Sequence, residues 1–358
     1  MSELRILSAS EQVAEHLREQ ITRGVWSGFM PGGRRLATDL GVGRMTVEVA
    51  LTQLEQEGIL LPEGVGKKRR IVFPDKLDAP SLRIGILLYA PDDTKLYYNV
   101  DLLHRLLSAG HSASFAEKTL VDLRMDPARI ARLVEKSPAD AWVVSSGSRE
   151  VLEWFADQRV PAFAFAGRRR GVKIASIGPD KETAMRRLVA RLVELGHHRI
   201  VMIDREVLRK PEPGRIERIF LEELSAHGIR HGSYNLPDWR ETAEGLGELL
   251  DKLFLHTPPS ALIIGEAPTF VAAQTHLAQR GILAPRDVSL ICDDPDPVFA
   301  WCRPSVAHIH WDGSPIARRA VRWAANVARG KDDRRRGFTK AVFVEGGTIG
   351  PTPGQQAP

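Results

Sequence analysis

The hydrophobic pattern of the N-terminal part of the chain has the period of short amphipathic helices. Apolar positions at steps of three and four predict helices at about 10–23, 33–40 and 44–57, each followed by a glycine. Ser8 and Glu11 stand three residues apart before the first helix, which is the spacing of a capping box. Only Gly41-Val42-Gly43 separates the second helix from the third. A short glycine-containing turn between two helices is typical of a helix-turn-helix.

The segment after the third helix, "ILLPEGVGKKRRIVF", has the pattern of a β-hairpin. It contains an apolar run, a turn with proline and glycine, and a second apolar run. The tip and the returning strand carry four consecutive basic residues, Lys67 to Arg70. Three helices followed by a basic hairpin predict a winged helix.

From about residue 83 onward, near-continuous apolar runs alternate with amphipathic helices. Runs such as "LRIGILLYA", "DAWVVSS", "RIVMI" and "SALIIG" are typical of strands that are buried on both faces. This alternation predicts an α/β fold with doubly wound parallel sheets, and its length of about 270 residues favours two lobes. We expect a winged-helix domain at 1–73, a linker at 74–82, a two-lobed domain at 83–350 and a disordered tail at 351–358.

Composition limits the class of protein. The chain has 358 residues and two cysteines, and no apolar run approaches the ~20 residues of a membrane span. The N-terminus lacks the apolar core of a signal peptide, so we expect a cytoplasmic protein. The net charge of +5 permits a polyanionic partner. The first 72 residues contain ten Lys/Arg and nine Asp/Glu, so only the placement of charge can indicate a nucleic-acid surface.

The first turn of the third helix carries the candidate base contacts. Arg44 and Glu48 are four residues apart and therefore share one face, with Met45 beside them. In a helix-turn-helix this turn enters the major groove, where arginine can bind guanine and glutamate can accept from cytosine. Thr46 is a candidate for a phosphate or a thymine methyl. The alternative is that Arg44 and Glu48 form an ion pair on a solvated helix.

Other basic residues are candidates for the phosphate backbone. Arg34 and Arg35 begin the second helix, and Lys67, Lys68 and Arg69 belong to the hairpin. The alternative for the hairpin is a charged, solvated loop.

The stretch "MPGGRRLATDLGVGRMTVEVALTQLEQEGIL" resembles the winged-helix domain of GntR-type bacterial regulators. Their pattern is Pro-Ser-Glu-Arg-x-Leu-Ala, then Leu-Gly-Val-Ser-Arg-x-Thr-Val-Arg-x-Ala-Leu. The resemblance implies that Arg34, Arg44 and Thr46 contact DNA. The chain departs from the pattern at Gly32-Gly33 and Gly43, and Glu48 stands where the family has an arginine that contacts DNA.

The second half resembles the sensor domain of LacI/GalR-type repressors, which is similar to periplasmic sugar-binding proteins. The resemblance rests on "LVARLVELGHHRIVMI", "LSAHGI" and "GILAPRDVSLICDD". It implies a sugar-type effector bound by an arginine and an aspartate. Arg215 and Asp293 are the best matches, with Arg218 and Asp294 as alternatives. A GntR-type head on such a sensor resembles the arabinose-type repressors.

The fold class indicates further candidates, since open α/β sheets bind ligands beyond the carboxyl ends of their strands. Candidates at such ends are Tyr89, Ser145, Arg168, Glu266 and Asp293. His308 and His310 alternate on a strand-like run, but no third residue has the spacing of a metal ligand, so we expect neither a metal nor a cofactor.

The sequence is compatible with three classes of function to different degrees. An enzyme is disfavoured because the chain has no phosphate-binding loop, dinucleotide fingerprint or nucleophile elbow. The winged helix could alternatively contact protein instead of DNA. We expect a ligand-responsive bacterial transcription regulator, with repression favoured. Its partners would be double-stranded operator DNA, a small-molecule effector such as a sugar, and a second copy in a homodimer, with no membrane.

Overall fold

The computed structural model describes residues 8–22, 26, 28–64, 68–71 and 81–352. The described residues form two compact units. The first lies within Met1–Ser81 and Leu107–His111, and the second within Leu82–Leu106 and Ser112–Pro358. Most of the predicted linker at 74–82 and of the predicted tail at 351–358 lies outside the described residues.

The first unit contains the helices and the hairpin that the pattern predicts. Its elements are α1 (Ala9–Thr22), α2 (Gly33–Leu40), α3 (Arg44–Gln56), β1 (Leu60–Pro62) and β2 (Arg69–Ile71). The capping box is confirmed, because the Ser8 amide donates to Glu11 Oε2 at 2.8 Å and the Glu11 amide donates to Ser8 Oγ at 3.3 Å. β1 and β2 pair in antiparallel fashion. A bridge between Phe29 and Arg70 adds the segment before α2 to this sheet.

The helices of this unit pack around one apolar core. Leu17 of α1, Leu36 of α2 and Leu51 and Leu54 of α3 are fully buried in it. Full burial of such a side chain stabilises by roughly 1.5–3 kcal/mol. Gly41 ends α2 with φ 65°, a left-handed conformation in which glycine has no steric penalty. The turn to α3 therefore keeps the helix-turn-helix geometry.

The second unit contains two lobes, each with its own sheet. The first lobe has a five-stranded parallel sheet in the order β4-β3-β5-β6-β7. Its strands are β3 (Arg83–Leu87), β4 (Ser112–Phe115), β5 (Ala141–Ser145), β6 (Ala162–Phe165) and β7 (Ala175–Ile177). Helices α4 (Tyr97–Ser108), α5 (Pro127–Lys136) and α6 (Arg149–Asp157) alternate with these strands.

The second lobe has a six-stranded sheet in the order β8-β13-β12-β11-β10-β9. Its strands are β8 (Pro179–Asp180), β9 (Ile200–Ile203), β10 (Ala261–Ile264), β11 (Ser289–Cys292), β12 (Ala307–Trp311) and β13 (Thr339–Val344). The remaining helices are α7 (Glu182–Glu194), α8 (Glu206–Arg209), α9 (Arg215–Ala226), α10 (Ala243–His256), α11 (Ala267–Gln279) and α12 (Ser314–Ala328). The predicted doubly wound α/β architecture is confirmed.

Two strands of the second sheet, β13 and β8, run opposite to the other four and so depart from the predicted parallel arrangement. β13 runs antiparallel to β12. Between these strands the chain forms α12, which packs on the first lobe with the Trp323 ring 5.4 Å from that of Phe163. The chain therefore returns from the first lobe and enters the second sheet in the opposite direction. β8 also enters from the first lobe, and it pairs with β13 in parallel.

None of the helices in the described part of the chain combines the length and the apolar character that a bilayer crossing requires.

Candidate functional site

The first residues of α2 and of α3 carry exposed side chains that could contact a partner. Arg34, Arg35 and Arg44 are exposed, and Met45 is exposed to 75%. Gly43 is the residue before α3 and supplies no side-chain cap, so the first turn of that helix is free of a capping side chain. Thr46 is partly buried. The turn that would enter a major groove thus presents a guanidinium and an apolar side chain.

Glu48 and Arg69 are paired with each other. Arg69 Nη2 donates to Glu48 Oε2 at 3.0 Å, and its guanidinium also pairs with Glu55. The ion pair between Arg44 and Glu48 that was the alternative interpretation is not formed. Burial alone would lower the pKa of Arg69. The hydrogen bonds and charges of Glu55 and Glu48 outweigh burial, so the pKa of Arg69 is raised. Lys68 is exposed, and Lys67 lies outside the described residues.

In the second unit, an ion pair joins the two lobes across their cleft. Arg205 lies just after the end of β9 in the second lobe. Asp93 lies in a 3-10 helix, Pro91–Lys95, after β3 of the first lobe. Arg205 Nη2 and Nη1 donate to the two carboxylate oxygens of Asp93 at 2.6 and 2.9 Å. Arg205 Nη2 also donates to Glu266 Oε2 at 2.6 Å. All the carboxylates in this set are buried or nearly so.

Tyr89 supports the same ion pair from the first lobe. Its ring centroid lies 4.4 Å from Arg205 Cζ, and its hydroxyl donates to Glu241 Oε2 at 2.7 Å. A cation over an aromatic face is attracted by the ring quadrupole. Burial, and then the nearby Glu241, raise the pKa of Tyr89, so the phenol remains a donor at neutral pH.

These groups line a cavity of about 350 Å³. Its polar and aromatic lining comprises Tyr89, Asp92, Asp93, Asp204, Arg205, Trp239, Glu241, Thr242, Glu266 and Thr269. Five carboxyl groups and one guanidinium therefore face it. Burial lowers the pKa of Arg205, but Glu266 and Asp93 outweigh this and raise it. Burial raises the pKa of Glu266 even though Arg205 opposes the shift.

A second buried cluster of charged groups contains Lys181, Asp293, Asp294 and Glu217. Lys181 Nζ donates to Asp293 Oδ2 at 2.9 Å and to Asp294 Oδ1 at 2.6 Å. Burial would lower the pKa of Lys181, but the two aspartates raise it. Burial raises the pKa of Asp293 to about 6 and that of Glu217 to about 7.

Asp204 joins this cluster to the cavity. Burial, and then Glu217, raise the pKa of Asp204 well above its ordinary value. The cluster therefore contains carboxyl groups that hold protons at pH values where exposed carboxyl groups do not.

The structure brings together only some of the residues predicted for the effector site. Tyr89 and Glu266 line the cavity. Ser145 is buried at the end of β5, outside the lining. Arg168 donates to the carbonyl oxygens of Val207, at 2.6 Å, and Leu208, at 3.2 Å.

The two residues predicted from the repressor resemblance also lie outside the lining. Asp293 is held by Lys181. Arg215 donates to Glu182 at 2.7 and 2.8 Å and is partly exposed. They are the best matches to the family pattern, but their side chains form ion pairs outside the cavity.

Sequence reasoning missed five of the groups that shape the cavity. Arg205 and Asp204 stand directly after the strand "RIVMI", so the strand-end rule that selected Tyr89 and Glu266 would also have selected them. Asp93 lies within the short 3-10 helix that follows β3. Glu241 and Trp239 lie in an irregular connection before α10, where no periodic pattern identifies them.

The described residues contain no group of three or more His, Cys, Asp or Glu side chains arranged to hold a metal ion. His308 Nδ1 lies 2.9 Å from the Val306 carbonyl oxygen, and burial lowers the pKa of this histidine.

Comparison with known proteins identifies both units. Residues 9–64 match the family described as bacterial regulatory proteins, gntR family, and residues 189–348 match the periplasmic binding protein-like domain. A comparison with curated protein sequences gave no match.

Solved structures of LacI-family regulators share the fold of the second unit. A LacI family transcriptional regulator from Bifidobacterium animalis subsp. lactis has 17% identity and a TM-score of 0.59, covering 75% of this chain and 98% of that chain. The regulator CelR in complex with cellobiose has 16% identity and a TM-score of 0.60, covering 89% and 100%. A LacI family regulator from Enterococcus faecium with bound ribose has 14% identity and a TM-score of 0.59, covering 75% and 99%.

The chain is therefore a bacterial regulatory protein that joins a gntR-family DNA-binding domain to a periplasmic binding protein-like domain with the fold of LacI-family regulators.

Proposed function

We propose that this protein is a transcription regulator whose N-terminal head binds operator DNA and whose two-lobed domain binds a small effector in the cavity beside Arg205. The observation that carries the proposal is the combination of two features in one chain. The head exposes Arg44 and Met45 on the first turn of a recognition helix. The second unit has a cavity at strand ends, between lobes that the buried guanidinium of Arg205 helps to join.

The effector is proposed to be a neutral or amino sugar. Two proteins of similar fold were solved with ribose and with cellobiose, and a cavity of about 350 Å³ is within the range of small-molecule sites. Carboxylates accept strong hydrogen bonds from sugar hydroxyls, and Tyr89 and Trp239 offer flat apolar faces. Arg205 is already bound by Asp93 and Glu266. A sugar phosphate or sugar acid would therefore meet several carboxylates and no available cation.

The coupling is proposed to act through the cleft. Asp93 and Tyr89 belong to one lobe, and Arg205 and Glu241 belong to the other. A ligand either replaces the contacts between these groups or forms additional contacts with both lobes. In either case it changes the free-energy difference between an open and a closed arrangement of the two lobes. Ligand control of DNA affinity requires a difference in ligand affinity between these two states. We propose repression as the sign of regulation and the cytoplasm as the location.

A homodimer is proposed as the DNA-binding form. A lac repressor dimer bound to operator and an anti-inducer shares the fold, at 16% identity and a TM-score of 0.59. Two heads related by a two-fold axis would match a pseudo-palindromic operator. We take residues 1–73 as the head and 83–350 as the effector domain.

The test begins with selection of bound sequences from a random DNA library by the full-length protein. We expect one enriched motif, with binding that weakens steeply as salt is raised. A thermal-shift screen of neutral sugars, amino sugars and sugar phosphates then identifies the effector class. Recovery of no motif would contradict DNA binding, and stabilisation by sugar phosphates alone would contradict the proposed effector class. An enzymatic function is not proposed, since the chain lacks the relevant motifs.

A further inference from the structure

The side chain of Arg69 connects the β1–β2 hairpin to α3. We call the hairpin the wing and α3 the recognition helix. Arg69 lies in β2, and its guanidinium pairs with Glu48 Oε2 at 3.0 Å and with Glu55. Glu48 and Glu55 are seven residues apart on α3, which is about two helical turns, so both point to the same side of the helix. All three side chains are at least two-thirds buried, with Arg69 exposed to 23%. We call this set the wing clamp.

Gly33 leaves room for the Glu48 carboxylate in the wing clamp. A Cβ atom added at Gly33 would collide with Glu48 Oε1. The GntR pattern has glutamate at the position of Gly33 and arginine at the position of Glu48. These two residues, at which this chain differs from the pattern, therefore lie next to each other in the structure. The Glu48 carboxylate consequently faces the start of α2 and the wing. It is not presented on the outer face of α3, where a base would lie.

The outer face of α3 is left to other side chains. At 100° per residue, the buried positions Val47, Ala50, Leu51 and Leu54 centre on the side opposite Met45 and Thr52. Met45 is exposed to 75% and Val49 to 51%, one turn apart. Single exposed apolar residues are common on protein surfaces, but this pair occupies the middle of the face.

The same unit exposes basic side chains at the starts of its second and third helices. Arg44 precedes Met45 on the same turn, and Arg34 and Arg35 are exposed at the start of α2. The occupant of the face is therefore expected to carry negative charge around an apolar group. In the major groove of DNA, the thymine C5-methyl is the apolar group on the base edges, and phosphates flank it.

We propose that Met45 and Val49 recognise thymine methyl groups in the operator, and that Glu48 is a positioning residue of the wing clamp instead of a contact to cytosine. This inference rests on the proposed DNA-binding function. Arg44 then supplies the hydrogen-bonding part of base recognition, and the operator is expected to contain thymines beside the base that Arg44 contacts.

The experiment uses the motif selected by the full-length protein. Each thymine in it is replaced in turn by deoxyuridine, which lacks only the methyl group, and affinity is measured by fluorescence anisotropy. We expect a loss of about 3- to 10-fold at one or more thymines for the wild type, in line with burial of a methyl group. The double variant Met45→Ala/Val49→Ala should bind thymine and deoxyuridine operators equally. The control Val271→Ala, which shortens an exposed side chain of α11, should behave as the wild type.

Wild-type binding that is insensitive to deoxyuridine at every position would overturn the methyl recognition. Glu48 is tested by repeating the selection with Glu48→Ala and Glu48→Gln. The proposal predicts an unchanged motif for both variants, reduced affinity for Glu48→Ala, and recovered affinity for Glu48→Gln, whose amide oxygen still accepts from Arg69. Relaxed preference at a cytosine in both variants would show that Glu48 contacts that base. If no motif is selected, the proposed function itself fails.

Discussion

Arg205 donates to both carboxylate oxygens of Asp93, at 2.6 and 2.9 Å, from the opposite side of the cleft between the two lobes. The guanidinium also binds Glu266 in its own lobe. A charge pair that faces the cavity therefore helps to hold the two lobes in the observed arrangement. An effector that enters this cavity must act on groups that already bind each other.

Asp93→Asn is expected to lower the free energy of unfolding of the second unit by about 1–3 kcal/mol. The variant weakens a buried, charge-assisted hydrogen bond, although Arg205 keeps Glu266 as a partner. Denaturant unfolding measures the change. Asp92→Asn is the matched control, because Asp92 pairs with Lys95 on the surface, where ion pairs contribute little. Equal effects of the two variants would contradict the role of the cleft ion pair.

Lys181→Met is expected to destabilise the second lobe by about 3 kcal/mol at pH 8. It leaves Asp293 and Asp294 close together and without their shared cation. The loss should be smaller at pH 5, because Asp293, whose pKa burial already raises to about 6, can then take up a proton. Thermal unfolding at the two pH values measures this difference. The control Lys173→Met removes an exposed lysine and should have no comparable effect.

Glu217→Gln should become more stabilising, relative to the wild type, as pH rises from 5 to 8. Burial raises the pKa of Glu217 from 4.5 to about 7, next to Asp204. Between these values the folded protein holds a proton that the unfolded chain releases, so the wild type loses stability as pH rises. Above about pH 7 the loss is complete, at on the order of 3 kcal/mol. A difference between wild type and variant that does not change with pH would contradict the raised pKa.

Glu241→Gln should weaken binding of the neutral sugar found by screening by about 10-fold. Glu241 faces the cavity and would accept from a hydroxyl, and hydrogen bonds to charged groups contribute about 1.5–3 kcal/mol. Isothermal titration calorimetry measures the affinity. The control Glu244→Gln changes a carboxylate on the exposed first turn of α10 and should leave affinity unchanged.

Helix boundaries and most strand positions were predictable, because they depend on the spacing of apolar residues and on the glycines and capping residues next to them. The boundaries predicted for α2 match those observed, and those of α1 and α3 differ by about one residue. The apolar runs gave the positions of most strands of both sheets. The run "AVFVEG" predicts the strand β13, but the antiparallel direction of β13 and the existence of the two-residue β8 were not predictable, because their pairing depends on how the chain crosses between the lobes.

The sites were less predictable because their side chains meet across long sequence distances. Arg44 and Met45 could be selected from the recognition-helix pattern alone, and both are exposed. Nothing local indicates that Arg69 binds Glu48, or that Arg205 binds Asp93 more than a hundred residues away. Such pairs depend on tertiary packing, which one sequence does not display.

The most direct test of the central claim is the operator affinity of Arg44→Ala, measured by fluorescence anisotropy on the selected motif and on scrambled DNA. Arg322→Ala, which removes an exposed guanidinium from α12, is the control for net charge. We expect Arg44→Ala to lose most of the discrimination between the two DNAs, by about 1–3 kcal/mol, with unchanged thermal stabilisation by the sugar. Wild-type discrimination in Arg44→Ala would contradict the account.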